Sequence, residues 1–597
     1  MKTKHILYIL LAVFVGTATS CSDFFDQDSD HVTFTNDFKL DNPRDTVYAL
    51  TGIMSKLSTL GDRTVLLGEA RGDLVSVTNA ASSDLRDLAN FDVDDSNKYN
   101  NPKDYYAVIN NCNLYIALCD TALNDPHSSN NSATHKVFMK EYAAVKAYRA
   151  WTYLQLVLNY GRVPFVTEPI LTKEASEANY PMKDIREVCT WLVNDIAPLA
   201  NERRPGLGNI GNVDSRLLYF PIYFLLGDLN LWAGNYEEAA LAYYRFLNTD
   251  NGNAATRPIG MFFYGWSRPT WTDADINQAG DWRGMFSRES WWGASGQELI
   301  SMIPGDSVPS QPNYSQLRNI FNSTSENDYE PSLVPSQSLR TLSASQVNCM
   351  LTSTFDVVYA PSGLSEERAG DLRLKYAWNH HNRNVNNKRV EYQTIYKYQT
   401  PNVHVYRRVM AYLRMAEALN RAGYPHFAYQ ILARGVNNQV LADYVLPYCT
   451  NQSDSAYVNQ FNFPYTATSG YIVYDPRVNS SSLYLNTIGI HSRGSGWAME
   501  NAYYQMPDDT TLTGDALKQY QIEKVEDMII DEGALECAFE GTRYYDLLRV
   551  ALRRNDLSYL ASRVASRDGA GAEDAALKAK LMSMQNLFLH YQGKIGY

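Results

Sequence analysis

Glu532, Glu536 and Glu540 recur at every fourth position of Glu532-Gly-Ala-Leu-Glu536-Cys-Ala-Phe-Glu540, which predicts three carboxylates on one face of a helix. Two carboxyl groups with separated pKa values are what glycoside hydrolysis needs, one as acid and one as base or nucleophile. The neighbouring residues argue against that chemistry. Glu540 with Arg543, and Asp546 with Arg549, stand three apart and are placed for ion pairs. A guanidinium beside a carboxylate keeps it ionised and disqualifies it as a general acid. The segment therefore reads as structural ion pairing, and no catalytic residue is assigned. Binding chemistry is better represented elsewhere. Five of the ten tryptophans, Trp266, Trp271, Trp282, Trp291 and Trp292, fall within residues 262–292 beside Phe262, Phe263, Tyr264 and Phe286. Flat rings stack on sugar faces, and equally on prolines and side chains of a peptide. The competing role for the same rings is to pack a long loop against its scaffold.

Other motifs fail their context. Gly206-Leu-Gly208-Asn-Ile-Gly211 fits G-x-G-x-x-G, but it follows Asn201-Glu-Arg-Arg-Pro205 instead of a strand, so a dinucleotide site is excluded. The chain has no G-x-S-x-G, no Walker loop and no H-E-x-x-H. His380 and His381 are adjacent, a spacing that rarely ligates one metal from regular structure. Asp92, Asp94 and Asp95 could hold calcium in a loop, although acidic loops are usually only solvated. No cofactor and no metal is assigned. With 53 Lys and Arg against 65 Asp and Glu, the net charge of -12 also argues against a nucleic-acid partner.

The elements that must position these residues are mostly helical. Ala147, Trp151, Leu154 and Leu158 mark one face of a helix over residues 137–160, and Ala150, Tyr153 and Val157 a second, so that helix is expected to be buried on two sides. Gly161 ends it. Leu225 to Ala233, Gly234 and then Tyr236 to Ala240 read as a helical hairpin of tetratricopeptide type, and a similar unit recurs over Tyr412 to Gly423. In both, an alanine follows five residues after the turn glycine: Ala239 after Gly234, and Ala428 after Gly423. Between the units lie two stretches rich in Asn, Ser, Pro, Trp and Tyr, about 251–400 and 450–515, the latter with Gly489-Ile-His-Ser-Arg-Gly-Ser-Gly496. Loops this long are commonly functional. Helix is expected again from roughly Gln519 to Val550.

The amino terminus carries an address. Lys2 and Lys4 precede an apolar run from Ile6 to Val15, then small residues 16–20 and Cys21. This is a secretion signal, too short to span a bilayer. A small-residue run ending at cysteine reads as a lipobox with Cys21 acylated, although Ala18 stands where the usual lipobox has Leu. Loss of residues 1–20 removes two lysines and no acid, which takes the charge from -12 to -14. No later stretch holds eighteen consecutive apolar residues, so the mature chain is expected to be anchored and not spanning. The six remaining cysteines, Cys112, Cys119, Cys189, Cys349, Cys449 and Cys537, show no C-x-x-C and no compact framework, and buried free thiols are expected.

Read together, these segments resemble the SusD/RagB family of outer-membrane nutrient-binding lipoproteins. The resemblance is carried by Phe539-Glu540-Gly541-x-Arg543-x-x-Asp546-Leu547-x-Arg549, by Glu141 to Trp151 running on to Tyr160-Gly161-x-Val163-Pro164, by the hairpin at Gly234, and by Tyr412-Leu413-Arg414-x-Ala416-Glu417-Ala418-x-Asn420. It covers essentially the whole chain after Cys21, whose following acidic stretch resembles the family's surface-export tag. The resemblance implies a mainly α fold: one SusD-like domain over 21–597, with a scaffold of tetratricopeptide-like hairpins at about 40–250, 405–440 and 519–597, interrupted by the two loop-rich insertions. It implies no catalysis, a lipid anchor at the cell surface, and a SusC-like TonB-dependent barrel as partner, to which captured oligosaccharide or oligopeptide is delivered. Arg71, Asp73, Asn79 and Asp84 lie in a polar stretch matching, by position, a ligand-lining region of the family. For the ligand, the tryptophans lean toward glycan, while the run Tyr406 to Arg414 and the loop Gly489 to Gly496 look more like the peptide-associated RagB side. A protein-only scaffold and a surface glycoside hydrolase are the alternative functions.

Overall fold

The computed structural model describes residues 43–123, 133–210, 213–249, 263–266, 276–279, 284, 286, 298–311, 313–351, 356–360, 370–385, 387–464, 471–472, 484–485, 488–496 and 501–591. Cys21 lies outside them. The described elements are mostly helices, and every strand pairs with only one other.

The amino-terminal helices α1 (Pro43–Ser58), α2 (Gly61–Glu69), α3 (Ser83–Asn90) and α4 (Pro102–Leu123) lead into the long α5 (Ala133–Tyr160), which packs on α4 and on α6 (Ile185–Ile196). On α5, Ala147, Ala150, Trp151, Tyr153, Leu154, Val157 and Leu158 are all buried, so both predicted faces are covered. Trp151 stacks on Phe220, with ring centroids 5.0 Å apart. Gly161 ends the helix at φ +71°, where a side chain would meet the Phe588 ring.

The first predicted hairpin is α7 (Ile222–Ala233) and α8 (Tyr236–Thr249), turning at Gly234 with φ +88°. A Cβ at Gly227 would sit 2.4 Å from the Tyr243 ring, so this glycine sets how closely the two helices approach. Tyr243 reaches over it to donate to Asp228 at 2.6 Å. Tyr406 and Arg414 also donate to Asp228, at 2.9 and 2.7 Å, which ties the first hairpin to the second. That second unit, α11 (Arg408–Arg421) and α12 (Pro425–Ala433), turns at Gly423 and packs on α8 and α13 (Gly514–Cys537). After α13 come α14 (Arg543–Arg554), α15 (Ser558–Ala565) and the short α16 (Ala575–Leu581). One hydrophobic core runs through all of these, from Leu50 to Leu589.

Two expectations are revised. Helix is not continuous from Gln519 to Val550: it stops at Cys537 and restarts at Arg543, with Phe539 and Gly541 both in the left-handed region. The break is enforced by packing, because a Cβ on Gly541 would lie 2.7 Å from the Thr64 carbonyl of α2. The insertion at 251–400 also holds regular structure, including α9 (Gln337–Ser345), α10 (Leu372–Ala377) and an eight-residue hairpin, β4 (Trp378–Val385) with β5 (Lys388–Ile395). The cysteines after Cys21 are all free, and five of the six are buried.

Candidate functional site

The three glutamates that opened the sequence argument are interior. Glu532 and Glu536 share a face of α13, whereas Glu540 lies beyond the helix end, so its expected pairing with Arg543 does not form. Arg543 instead takes both oxygens of Asp73, at 2.5 and 2.9 Å, while the Asp546–Arg549 pair does form at 2.7 Å. Arg373 bonds Glu532 and Glu536, Arg407 bonds Glu298, Glu536 and Glu540, Arg493 bonds Glu536, and Lys397 bonds Glu540. Burial alone would raise the Glu532 carboxyl, but Arg373 and His491 overcome it and hold the group at about 2. Carboxylates locked ionised in this way do not deliver protons. Their work is mechanical: the network fastens both insertions, through Arg373 and Arg493, to α13. The loop Gly489 to Gly496 belongs to this network, with His491 and Arg493 each 1% exposed. Arg407 and Tyr406 are similarly buried, so neither feature supports the peptide reading.

A cleft of about 1200 Å³ opens where the first insertion meets the loop of Thr78, Asn79 and Ala80. Strand β1 (Val75–Val77) pairs antiparallel with β3 (Leu333–Pro335), Val75 opposite Pro335, which brings Asn79 beside Tyr329 and Pro331 on one wall. Arg340 of α9 and Lys375 of α10 line a second wall, and β4–β5 supplies a third. In that hairpin the register sets His380 opposite Gln393 and Asn384 opposite Arg389, so Trp378, His380, Arg389, Glu391 and Gln393 share one face. All five line the cleft.

Trp378 is fixed at its edge, its indole nitrogen donating to Gln393 at 2.9 Å. Gln393 is buried and donates in turn to the carbonyls of Phe321 and Leu333, at 2.8 and 3.0 Å. His380 stacks on Trp378, with centroids 3.9 Å apart and planes 15° apart. The pair makes a held aromatic platform beside cationic and amide groups. Tyr329, which also lines the cleft and meets the Tyr392 ring at 6.2 Å, adopts φ +65°, unusual for a bulky residue. Its amide donates to Thr324, and Asn327 braces the turn through Asn319 and Asn322. Backbone strain of this kind, about 1–3 kcal/mol, persists where surrounding bonds impose it and clusters at ligand sites.

Of the ligand-binding residues predicted from sequence, Asn79 is the one among the described residues that lines this cleft; His380, considered only as a metal ligand, lines it too. Asp73 is buried and consumed by Arg543, and Arg71 is buried beside a different cavity. Asp84 lies in the first turn of α3. Trp266 falls in a short strand, β2 (Phe263–Trp266), paired with Ile276–Ala279, while Trp271, Trp282, Trp291 and Trp292 lie outside the described residues. Asp92 pairs with Lys580, Asp94 caps Ser96 and Asn97, and Asp95 faces His590 at 3.7 Å, three different engagements. His380 and His381 point to opposite faces of β4, as neighbours on a strand must. Sequence reasoning missed Trp378, Tyr329, Arg340, Lys375 and Arg389. The available signal was the alternation Trp378-x-His380 ahead of a two-residue Asn turn, whose Asn387 has φ +64°.

No protein-family model matches the sequence, and no curated protein matches it. Solved structures do. A SusD superfamily protein from Bacteroides thetaiotaomicron is 16% identical with a TM-score of 0.53, over 92% of this chain and 94% of its own. Another from Bacteroides vulgatus is 15% identical with a TM-score of 0.53, over 94% of this chain and 100% of its own. A SusD-like carbohydrate binding protein from Bacteroides fragilis is 13% identical with a TM-score of 0.50, over 87% and 88%. Each likeness spans most of both chains. The chain has the fold of the SusD superfamily.

Proposed function

We propose that the protein is a non-catalytic binding protein that captures oligosaccharide in the cleft between Asn79, Tyr329 and the β4–β5 hairpin. The carrying observation is the Trp378–His380 platform, a flat apolar surface beside amide and cationic groups. Sugar rings present flat C–H faces ringed by hydroxyls, and such a surface offers stacking with hydrogen bonds at its margin. The carbohydrate-binding description of the Bacteroides fragilis protein with this fold supports the same ligand class. Oligopeptide is the lesser reading, because the two segments that favoured it are spent inside the scaffold.

Cys21, acylated after signal cleavage, would tether the chain to the outer membrane at the cell surface, with ligand passed to a SusC-like TonB-dependent barrel. No helix among the described residues is long and apolar enough to cross a membrane. Capture followed by release suits binding on the order of micromolar, about -8 kcal/mol.

Titration of the mature protein with a panel of oligosaccharides by calorimetry tests this reading, with chromatography of the ligand afterwards. Saturable binding, intact ligand and loss of affinity in Trp378→Ala are expected. Shortened ligand would restore the hydrolase, and binding unchanged in Trp378→Ala would remove the cleft.

A further inference from the structure

The glycine-rich stretch Gly206 to Gly211, which has no dinucleotide context, leaves its aliphatic residues on the surface: Leu207 is 45% exposed and Ile210 58%. Neither lies on a loose loop. The Leu207 amide donates to Ser215 Oγ at 2.8 Å, and the Ser215 amide to the Gly208 carbonyl at 3.0 Å. Asn209–Ile210 pairs with Val213–Asp214, Ile210 opposite Val213. A pocket of about 350 Å³ opens beside this hairpin, with Pro205 and Gly206 on its wall. Among the described residues, Lys140, Arg203, Arg204 and Arg216 line it against one acid, Glu202.

Arg216 is held by Asp214 of the hairpin at 2.5 Å, and its stem lies by Gly206, where a Cβ would come within 3.6 Å. Arg204 donates to the carbonyls of Ile300 and Arg216, at 2.7 and 3.2 Å. Lys140 and Arg203 are exposed, and neither has an ion pair or a side-chain hydrogen bond among the described residues. Counting Asp214 as well, four cations meet two acids, in a chain of net charge -12. Cations gathered against the sign of the whole chain are the footprint of an anionic partner. Several of them suit a phosphate, whereas one guanidinium satisfies a carboxylate. Aliphatic residues are ordinary on a surface when scattered, but two in one braced hairpin at the rim of a cationic pocket suit acyl chains, not a free ion or a sugar.

We propose that this face docks on a lipid surface, the pocket receiving lipid phosphate while Leu207 and Ile210 enter the boundary between headgroups and acyl chains. The proposal rests on the tether at Cys21 and is independent of what the Trp378 cleft holds. About twenty residues separate Cys21 from Pro43, a length that lets the folded part turn this face to the bilayer.

The test uses the full mature chain with Cys21→Ser, which carries no acyl group, and co-sedimentation with vesicles. Equal parts of phosphatidylglycerol and phosphatidylcholine are compared with phosphatidylcholine alone. The account predicts attachment at least tenfold stronger to the anionic vesicles. It also predicts loss of that attachment in the double variant Lys140→Glu with Arg203→Glu, and in Leu207→Ser with Ile210→Ser. All four side chains are exposed, so both variants keep the fold. Oligosaccharide titration of the same preparations reads the Trp378 cleft separately, so failure of one reading leaves the other standing. Absent attachment, equal attachment to the neutral vesicles, or attachment that survives either double variant overturns the proposal. Inorganic phosphate is the second probe: phosphate bound without attachment to vesicles would make the pocket a small-anion site and overturn the docking.

Discussion

Two kinds of buried or half-buried residue carry the molecule, and they respond differently to change. Trp378 is locked to Gln393 at its edge, shares its face with His380 and packs against the rim of the core, so its removal takes away stacking surface and leaves the buried Gln393 amide oxygen without its donor. Trp378→Ala is expected to weaken oligosaccharide binding about tenfold, ~1.4 kcal/mol, and to cost about 1–3 kcal/mol of stability; calorimetry and urea unfolding together check this. Arg407 is the opposite case. It is fully buried among Glu298, Glu536 and Glu540. Arg407→Met leaves those charges facing one another, and a loss of about 3–5 kcal/mol in urea unfolding is expected. A loss below about 1 kcal/mol would mean that water screens the cluster. The sequence pointed to the glutamates but not to their partners, since Arg373, Arg407 and Arg493 are far from Glu536 along the chain.

At the level of elements, periodicity was readable where helices pack on helices and misleading where the backbone breaks. The faces of α5 and the glycine turns of both hairpins followed from spacing alone. The break between α13 and α14 did not, because Gly541 adopts φ +80° to admit the backbone of α2, a contact from residue 64. Gly541→Ala should therefore destabilise the protein by about 2 kcal/mol or more, readable as a lower urea midpoint. The same junction sets a dependence on pH. Burial pushes Glu69, at the end of α2, up to about 7, against donation from the amides of Gly541 and Phe539. A carboxyl raised in this way contributes fully below about 4.5 and loses its contribution as pH climbs through about 7. Glu417 and Glu532 run the other way: burial would raise both, but Arg421 with Arg549, and Arg373 with His491, hold each at about 2. Their contribution is present above about 4.5 and is lost as pH falls toward 2. Stability should peak near pH 5, and Glu69→Gln should flatten only the alkaline limb. An unchanged alkaline limb in that variant would place the titration elsewhere.

For the whole molecule, the scaffold was more legible than the site it supports. Hairpin turns and buried helix faces are local patterns, whereas the cleft is assembled from β1, the turn at Tyr329, α9, α10 and the β4–β5 hairpin, which lie some three hundred residues apart at the extremes. Among the described residues that line it, Asn79 was named in advance as a ligand contact and His380 only as half of a histidine pair, while Trp378 was hidden in a stretch read as loop. The buried ionic network explains how such a cleft keeps its shape: it fastens the insertions to α13 at their base and leaves the rim exposed. The central claim is capture of glycan, and the direct measurement is native mass spectrometry of the protein purified from its own membrane, followed by release of whatever is bound. The account predicts a ladder of masses spaced by sugar residues, with a β-barrel partner co-purifying. Released masses that fragment as amino-acid residues would contradict it.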